Sequence, residues 1–362
     1  MKVVIAAGGT GGHIMPGLAL AEHFTQHGDS VFIITREKDR TLIKQMNQYR
    51  RRSFYIDVGY FSRSRFFSNI TAILKFIRAA AQCRRWFKTV SPDIIIGMGG
   101  FVSVAPLFAA LNMHIPILLC EQNSVPGKAN RLVAGWADAV AVTYQTSYRY
   151  FKSAVLTGNP VRHDIGIIRK KEAREQYSIK KNKPVLLVMC GSQGAQQINE
   201  WLLSALPDLR KFTIIWSCGK AHYRSLNKAI HKQISTDIKL YSFIENTAAA
   251  YAAADIILCR AGATTLSEIT AAHLPAVIIP YPYAADNHQQ KNAEELVRKN
   301  AAVMALENAL NPQKLVAIIQ KAYTKRNALK KALGMITIPD SVERIYTLTK
   351  SIVKRKKYVS KN

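Results

Sequence analysis

Short, uninterrupted apolar runs alternate along the chain with longer stretches in which apolar residues recur every three or four positions. The runs Lys2–Ala7, Val31–Thr35, Asp93–Ile96, Ile115–Cys120, Ala137–Val142, Val185–Met189, Thr213–Trp216, Ile256–Cys259 and Ala276–Pro280 read as buried strands. They are β-branched and aliphatic without alternation, the pattern of a parallel sheet covered on both faces. Helical patterns such as Gly17–His27 and Thr265–His273 intervene. This βαβ rhythm predicts the α/β class with right-handed crossovers. A strand runs into a glycine-rich turn and then a helix at Gly8–Gly12, Gly97–Gly100 and Gly191–Gly194, and in a less glycine-rich form at Arg260–Glu268. Two of these turns precede Pro160 and two follow it, which predicts two similar domains, each with its ligand edge at the carboxyl ends of its strands. The boundary is placed at the Asn159-Pro160 turn signal, ahead of the basic, polar stretch Arg169–Lys183.

Composition narrows the partners. With 362 residues, 48% of them hydrophobic, the chain can fill two cores and is not a disordered polymer. Lys and Arg number 51 against 23 Asp and Glu, a net charge of +28 that attracts anionic partners without specifying a fold. The 5 cysteines form no CxxC pair, which argues against zinc ribbons and thioredoxin-type sites and suits a reducing compartment. The apolar run Val3–Ala7 is too short for a secretory signal, and Val102–Cys120 is broken by Pro106, Asn112, His114 and Pro116. Membrane contact is therefore expected to be peripheral.

Glycine at a strand–helix turn admits a close approach of backbone, and the following helix aims N–H groups and a partial positive charge at whatever occupies the turn. Both features suit a phosphate. No Walker A sequence is present, and Gly8–His13 lacks the GxGxxG spacing of dinucleotide-binding dehydrogenases. No Asp-x-Asp occurs, so a bound diphosphate is expected to be neutralised by helix N-termini and positive side chains, with no metal and no other cofactor.

The motifs together resemble the MurG family of peptidoglycan N-acetylglucosaminyltransferases. They are GGTGGHIMP at Gly8–Pro16, GMGGF at Gly97–Phe101, EQNSVPGKAN at Glu121–Asn130, GNPVR at Gly158–Arg162, GSQGA at Gly191–Ala195, CRAGATTLSE at Cys259–Glu268 and NHQQKN at Asn287–Asn292. The resemblance implies a GT-B fold, two Rossmann-like domains facing across a cleft. It places an acceptor domain at 1–159, a UDP-GlcNAc-binding domain at 160–337, and a last helix at 338–362 packing back on the first. It implies inverting, metal-independent transfer of GlcNAc from UDP-GlcNAc to the MurNAc 4-hydroxyl of lipid I, giving lipid II. The donor residues it implies are Thr10, Gly11, Gly12, Asn123, Arg162, Ser192, Ile244, Ala263, Thr264, Thr265, Leu266, Ser267, Glu268 and Gln289. Arg162 and Ser192 serve the diphosphate, Ile244 a uracil edge through its backbone, Glu268 the ribose hydroxyls, and Gln289 the sugar. For the general base two candidates stand: His13, whose ordinary pKa near ~6.5 suits the task, and Glu121 at a strand end.

The segment Ser62–Lys88 carries Phe66, Phe67, Ile70, Ile73, Leu74, Ile77, Trp86 and Phe87 at mostly helical spacing, flanked by arginines and lysines. A basic amphipathic helix with aromatics suits an anionic bilayer, so these residues are expected to meet the cytoplasmic face of the plasma membrane, where the resemblance puts lipid I. UDP-GlcNAc epimerases of the same fold are the alternative reading; they need no lipid-facing helix, and the TGGH and EQN loops argue against them. Nucleic acid is not an expected partner, because the basic residues are scattered and form no recognition motif.

Overall fold

The computed structural model describes residues 1–40, 49, 52–59, 66–180, 182–191, 194–230 and 237–359. The chain forms two compact units, Met1–Arg162 with Pro339–Asn362, and His163–Ile338. Strands of the first are β1 (Lys2–Ala6), β2 (Ser30–Thr35), β3 (Ser53–Tyr55), β4 (Ile94–Gly97), β5 (Ile117–Glu121), β6 (Ala139–Val142) and β7 (Ala154–Leu156). They form a parallel sheet in the order β3-β2-β1-β4-β5-β6-β7, with Val4 opposite Phe32 on one side and Ile95 on the other. Its helices are α1 (Gly11–Gln26), α2 (Phe66–Val90), α3 (Phe101–Leu111) and α4 (Lys128–Val133).

The second unit holds β8 (Val185–Met189), β9 (Thr213–Ser217), β10 (Asp237–Tyr241), β11 (Ile256–Cys259), β12 (Ala276–Ile278) and β13 (Val303–Met304), ordered β10-β9-β8-β11-β12-β13. Its helices are α5 (Lys170–Gln176), α6 (Gln196–Ala205), α7 (Tyr223–Ile230), α8 (Thr247–Ala253), α9 (Ala263–Ala271), α10 (His288–Val297), α11 (Pro312–Thr324) and α12 (Arg326–Ile336). The last helix, α13 (Ser341–Val359), returns to the first unit, where the Ser341 hydroxyl donates to the Asn159 carbonyl at 2.8 Å.

Successive residues of a strand face opposite sides of its sheet. In β1, Val3 and Ile5 enter a core built with Leu20 and Phe24 of α1 and Ile345 and Ile352 of α13. Val4 and Ala6 enter the opposite core, with Phe87 of α2 and Leu107 of α3. Each expected apolar run overlaps a strand. The strands not expected are β3, β7, β10 and β13, which form the four sheet edges and are at most half-buried along most of their length.

Each sheet reverses its strand order once, between β1 and β4 and between β8 and β11. Chains leaving such neighbouring strands run to opposite faces, which opens a crevice at the carboxyl ends. The turns Gly8–Gly12 and Gly97–Gly100 leave β1 and β4; Gly191–Gly194 and Arg260–Gly262 leave β8 and β11. The glycine turns therefore sit in pairs at the two switch points.

Candidate active site

In the first unit the β1 turn is pinned from below. Gly9 N–H donates to Asp39 Oδ2 at 2.9 Å, and Arg36 Nη2 reaches both Gly9 O at 3.2 Å and Asp39 Oδ1 at 2.6 Å. Asp39 is fully buried, which raises a carboxyl pKa, but the Arg36 hydrogen bond, the Gly9 N–H and the guanidinium charge together hold it below the ordinary value. A Cβ on Gly8 would lie 2.9 Å from Asp39 Oδ2, so glycine is what lets the carboxylate fit beneath the turn.

Thr10 caps α1, leaving Gly11 and Gly12 in the first helical turn, where N–H groups have no intrahelical acceptor. Thr10 Oγ1 lies 3.3 Å from His13 Nδ1. The His13 ring rests on the neighbouring turn: a Cβ on Gly99 would come within 3.3 Å of its Nε2, and one on Gly100 within 3.2 Å of its Nδ1. Both glycines also have positive φ, 92° and 74°. The two turns of the first switch point thus meet at a half-exposed imidazole.

The two candidate bases differ in their surroundings. Glu121, at the end of β5, is 2% exposed. Its Oε1 accepts from Asn123 N at 2.9 Å and Asn123 Nδ2 at 3.2 Å, and its Oε2 from Gly127 N at 3.2 Å and Asn130 Nδ2 at 2.9 Å. Burial lifts the Glu121 pKa even though those donors pull it down. A carboxylate so enclosed gathers the 122–127 loop around itself. Asn123 is held at half exposure beside it. Gln122, which sequence reasoning left without a task, ties the same loop to β4 by donating to Met98 O at 3.0 Å.

In the second unit, Gly194 has φ 75°, and a Cβ there would lie 2.1 Å from Cys218 O, so only glycine closes this turn. Ser192 lies outside the described residues. Gly262 caps α9, and Ala263, Thr264 and Thr265 form its first turn. The Leu266 side chain is fully buried, and its N–H donates to Gly262 O at 2.9 Å. Ser267 likewise turns its hydroxyl onto Ala263 O at 2.9 Å. Glu268 is buried in the second turn of α9, where Tyr251 OH donates to its Oε2 at 2.8 Å. Tyr251 lies on α8 and has no local sequence signal that links it to Glu268. Gln289 Oε1 accepts from Ala261 N at 3.2 Å and Tyr281 N at 3.0 Å, which fixes the carboxamide and leaves its NH2 without a partner among the described residues. Ile244 is buried in the loop before α8, and Arg162 is the last residue of the first unit.

Helix α2 has two apolar faces. Ala72, Ala79, Cys83, Phe87 and Val90 recur at helical spacing and are buried. Ile70, Ile73, Leu74 and Ile77 occupy another side and are 42%, 48%, 61% and 57% exposed. Further along the helix the exposed residues include Arg78, Arg84, Arg85 and Lys88. Of the expected membrane contacts, Phe87 is in the core, whereas Trp86 is half-exposed, stacking on Phe54 at 4.8 Å and edging Phe32 at 5.9 Å. The side chains of Phe66 and Phe67 lie outside the described residues. Beside α2 is an apolar cavity of about 260 Å³ lined by Val58, Phe76, Phe101, Phe108, Leu132 and Trp136. Among the described residues no helix is long and apolar enough to cross a membrane.

Residues 3–142 match the glycosyltransferase family 28 N-terminal domain and residues 185–343 its C-terminal domain. The UDP-N-acetylglucosamine–N-acetylmuramyl-(pentapeptide) pyrophosphoryl-undecaprenol N-acetylglucosamine transferase of Acetivibrio thermocellus is 36% identical, over 98% of this chain and 99% of its own. The protein of the same name from Ruminiclostridium cellulolyticum is 35% identical over 98% of this chain and all of its own length, 100%. Among solved structures, Acinetobacter baumannii MurG superposes with a TM-score of 0.77 at 26% identity, covering 97% of this chain and 99% of that one. The UDP-GlcNAc 2-epimerase of Neisseria meningitidis, bound to UDP-GlcNAc, reaches a TM-score of 0.66 at 14% identity over 96% and 99%, a likeness of fold alone.

Proposed function

The chain belongs to the MurG family within glycosyltransferase family 28, and on that premise we propose that it transfers GlcNAc from UDP-GlcNAc to the MurNAc 4-hydroxyl of lipid I, the undecaprenyl-diphosphate-linked MurNAc-pentapeptide. The product is lipid II, the precursor of peptidoglycan. The observation that carries this reading is end-to-end similarity to relatives of that name, spanning both the donor and the acceptor halves.

The second unit holds the donor. The α9 N-terminus faces the diphosphate through the N–H groups of its first turn, Glu268 takes the ribose hydroxyls, and the Gln289 NH2 reads a sugar hydroxyl. Ile244 meets the uracil edge through its backbone. Arg162 and Ser192 serve the diphosphate, and Thr10, Gly11, Gly12 and Asn123 complete the donor contacts from the first unit. In the transfer, the acceptor O4 bonds to the anomeric carbon as the bond to the UDP oxygen breaks, and the configuration inverts. His13 takes the hydroxyl proton. Thr10 Oγ1, 3.3 Å from His13 Nδ1, orients the imidazole for that role. UDP leaves with its charge met by helix dipoles and positive side chains, without a metal.

The exposed apolar side of α2, the basic residues that follow it and the apolar cavity beside it support a peripheral seat on an anionic leaflet, at the cytoplasmic face of the plasma membrane. The test is incubation with labelled UDP-GlcNAc and EDTA, with and without a lipid I analogue. Label reaches the lipid only when the analogue is present. Label in UDP-ManNAc without lipid means an epimerase, and neither product overturns the donor assignment.

A further inference from the structure

Far from both glycine turns, at the opposite end of α1, three metal-ligating side chains gather where α13 docks. His23 and His27 are four residues apart, in the last turn of α1 and at its C-cap, so their imidazoles share one side of the helix. Glu343, in the first turn of α13, meets them: its Oε2 lies 2.8 Å from His23 Nε2 and 4.0 Å from His27 Nε2. The ligand atoms of all three fall within 4.8 Å of one another.

We propose that His23, His27 and Glu343 form a surface site for a zinc-class divalent transition metal, which clasps the C-terminal helix to the first unit. The donor set is two imidazole nitrogens and one carboxylate oxygen, which suits zinc, nickel or copper and not magnesium or calcium. Tetrahedral zinc with bonds of about 2.0–2.1 Å sets its ligand atoms about 3.3 Å apart. The two distances from Glu343 Oε2 straddle that value, so small side-chain rotations close the site. The next layer of contacts is already in place. His27 Nδ1–H donates to His23 O at 2.9 Å, which holds the ring and leaves Nε2 as the ligand atom. Thr347 Oγ1 donates to Glu343 Oε1 at 3.1 Å and orients the carboxylate. His27 also lies against Tyr346, with ring centroids 4.5 Å apart, and Tyr346 in turn packs on Phe24. The fourth position is left to water. The net charge of +28 opposes a cation at long range, but screening over about 8 Å at physiological ionic strength leaves the neighbouring carboxylate in control.

The site lies away from the transfer chemistry, so its test reads binding and stability. Full-length protein without a polyhistidine tag is titrated calorimetrically with zinc alone. The cysteines are all buried and do not compete. One zinc binds per chain, magnesium gives no heat, and saturating zinc raises the melting temperature by roughly 5–10 °C. His27→Ala and Glu343→Gln each weaken zinc binding by more than about 10-fold, while His222→Ala leaves it unchanged. His27 and Glu343 are 41% and 49% exposed, so both variants are expected to fold, and their apo melting temperatures verify it. Absent zinc binding, or binding that survives both substitutions, overturns the site and leaves an imidazole–carboxylate contact only.

Discussion

At the scale of single residues, the proposed roles of His13 and Glu121 near one switch point are separable by measurement. His13→Ala removes a proton acceptor without opening the core. Turnover is expected to fall about 10²–10⁴-fold with UDP affinity and melting temperature unchanged. Glu121→Ala removes the acceptor of four N–H donors in a buried loop, each stranded donor costing about 1–3 kcal/mol. Its loss of turnover is expected to come with a lower melting temperature, and differential scanning calorimetry beside a steady-state assay separates the two. Asp39 gives a pH signature. Its folded pKa is held below the ordinary 3.8, so the folded state binds the proton less tightly than the unfolded chain. The stabilisation is full above that value and is lost as pH falls through the lower folded pKa. Melting temperatures recorded from about pH 6 to about pH 3 are expected to drop less steeply in Asp39→Asn than in the parent. Glu121 has the opposite sign: burial raises its pKa, so its contribution shrinks as pH rises through the folded value.

At the scale of elements, sequence reading succeeded where burial was complete and failed where it was partial. Strands such as β4, β8 and β11, and β1 after Lys2, are apolar throughout because helices cover both sheet faces, and that pattern is visible in one dimension. The edge strand β10, Asp237–Tyr241, alternates charge with aliphatic residues and is half-buried throughout, so it resembles surface loop. Helix α2 shows the same limit. Its apolar periodicity announced a helix, but periodicity alone does not say which of two apolar sides faces the sheet. The sides now give different predictions. Leu74→Ser with Ile77→Ser is expected to abolish sedimentation with anionic vesicles and leave the melting temperature within a degree or so, because both side chains are already exposed. Phe87→Ala is expected to cost about 3–5 kcal/mol of stability, read from denaturant unfolding. Within the site, glycine turns and carboxylates were legible because their chemistry is local. The Tyr251–Glu268 and Arg36–Asp39–Gly9 arrangements were not, since folding rather than spacing brings those groups together.

At the scale of the whole molecule, the same strand order recurs in both units up to the final edge, and each unit has its glycine turns at its own switch point. That duplication was readable because each pair of turns recurs at the same place in its βαβ series. The overall charge of +28 predicts that vesicle binding is salt-dependent, since each basic residue near an anionic surface contributes about 1 kcal/mol within a Debye length. Raising salt from low to about 0.5 M is expected to release most of the bound protein from phosphatidylserine vesicles, while neutral vesicles show little change.

The return of α13 to the first unit has a consequence for how the protein is made. Ile345, Tyr346, Ile352 and Val353 belong to the same core as Val3 and Ile5, so the opening strand waits for the closing helix. The second unit is one unbroken segment, His163–Ile338, and has all its strands as soon as it leaves the ribosome. Folding order during synthesis therefore inverts chain order: the donor half matures while the acceptor half still lacks its last helix. A nascent chain stalled after Ile338 is expected to resist protease across the second unit and remain cleavable in the first, so that the end made first is finished only when α13 arrives.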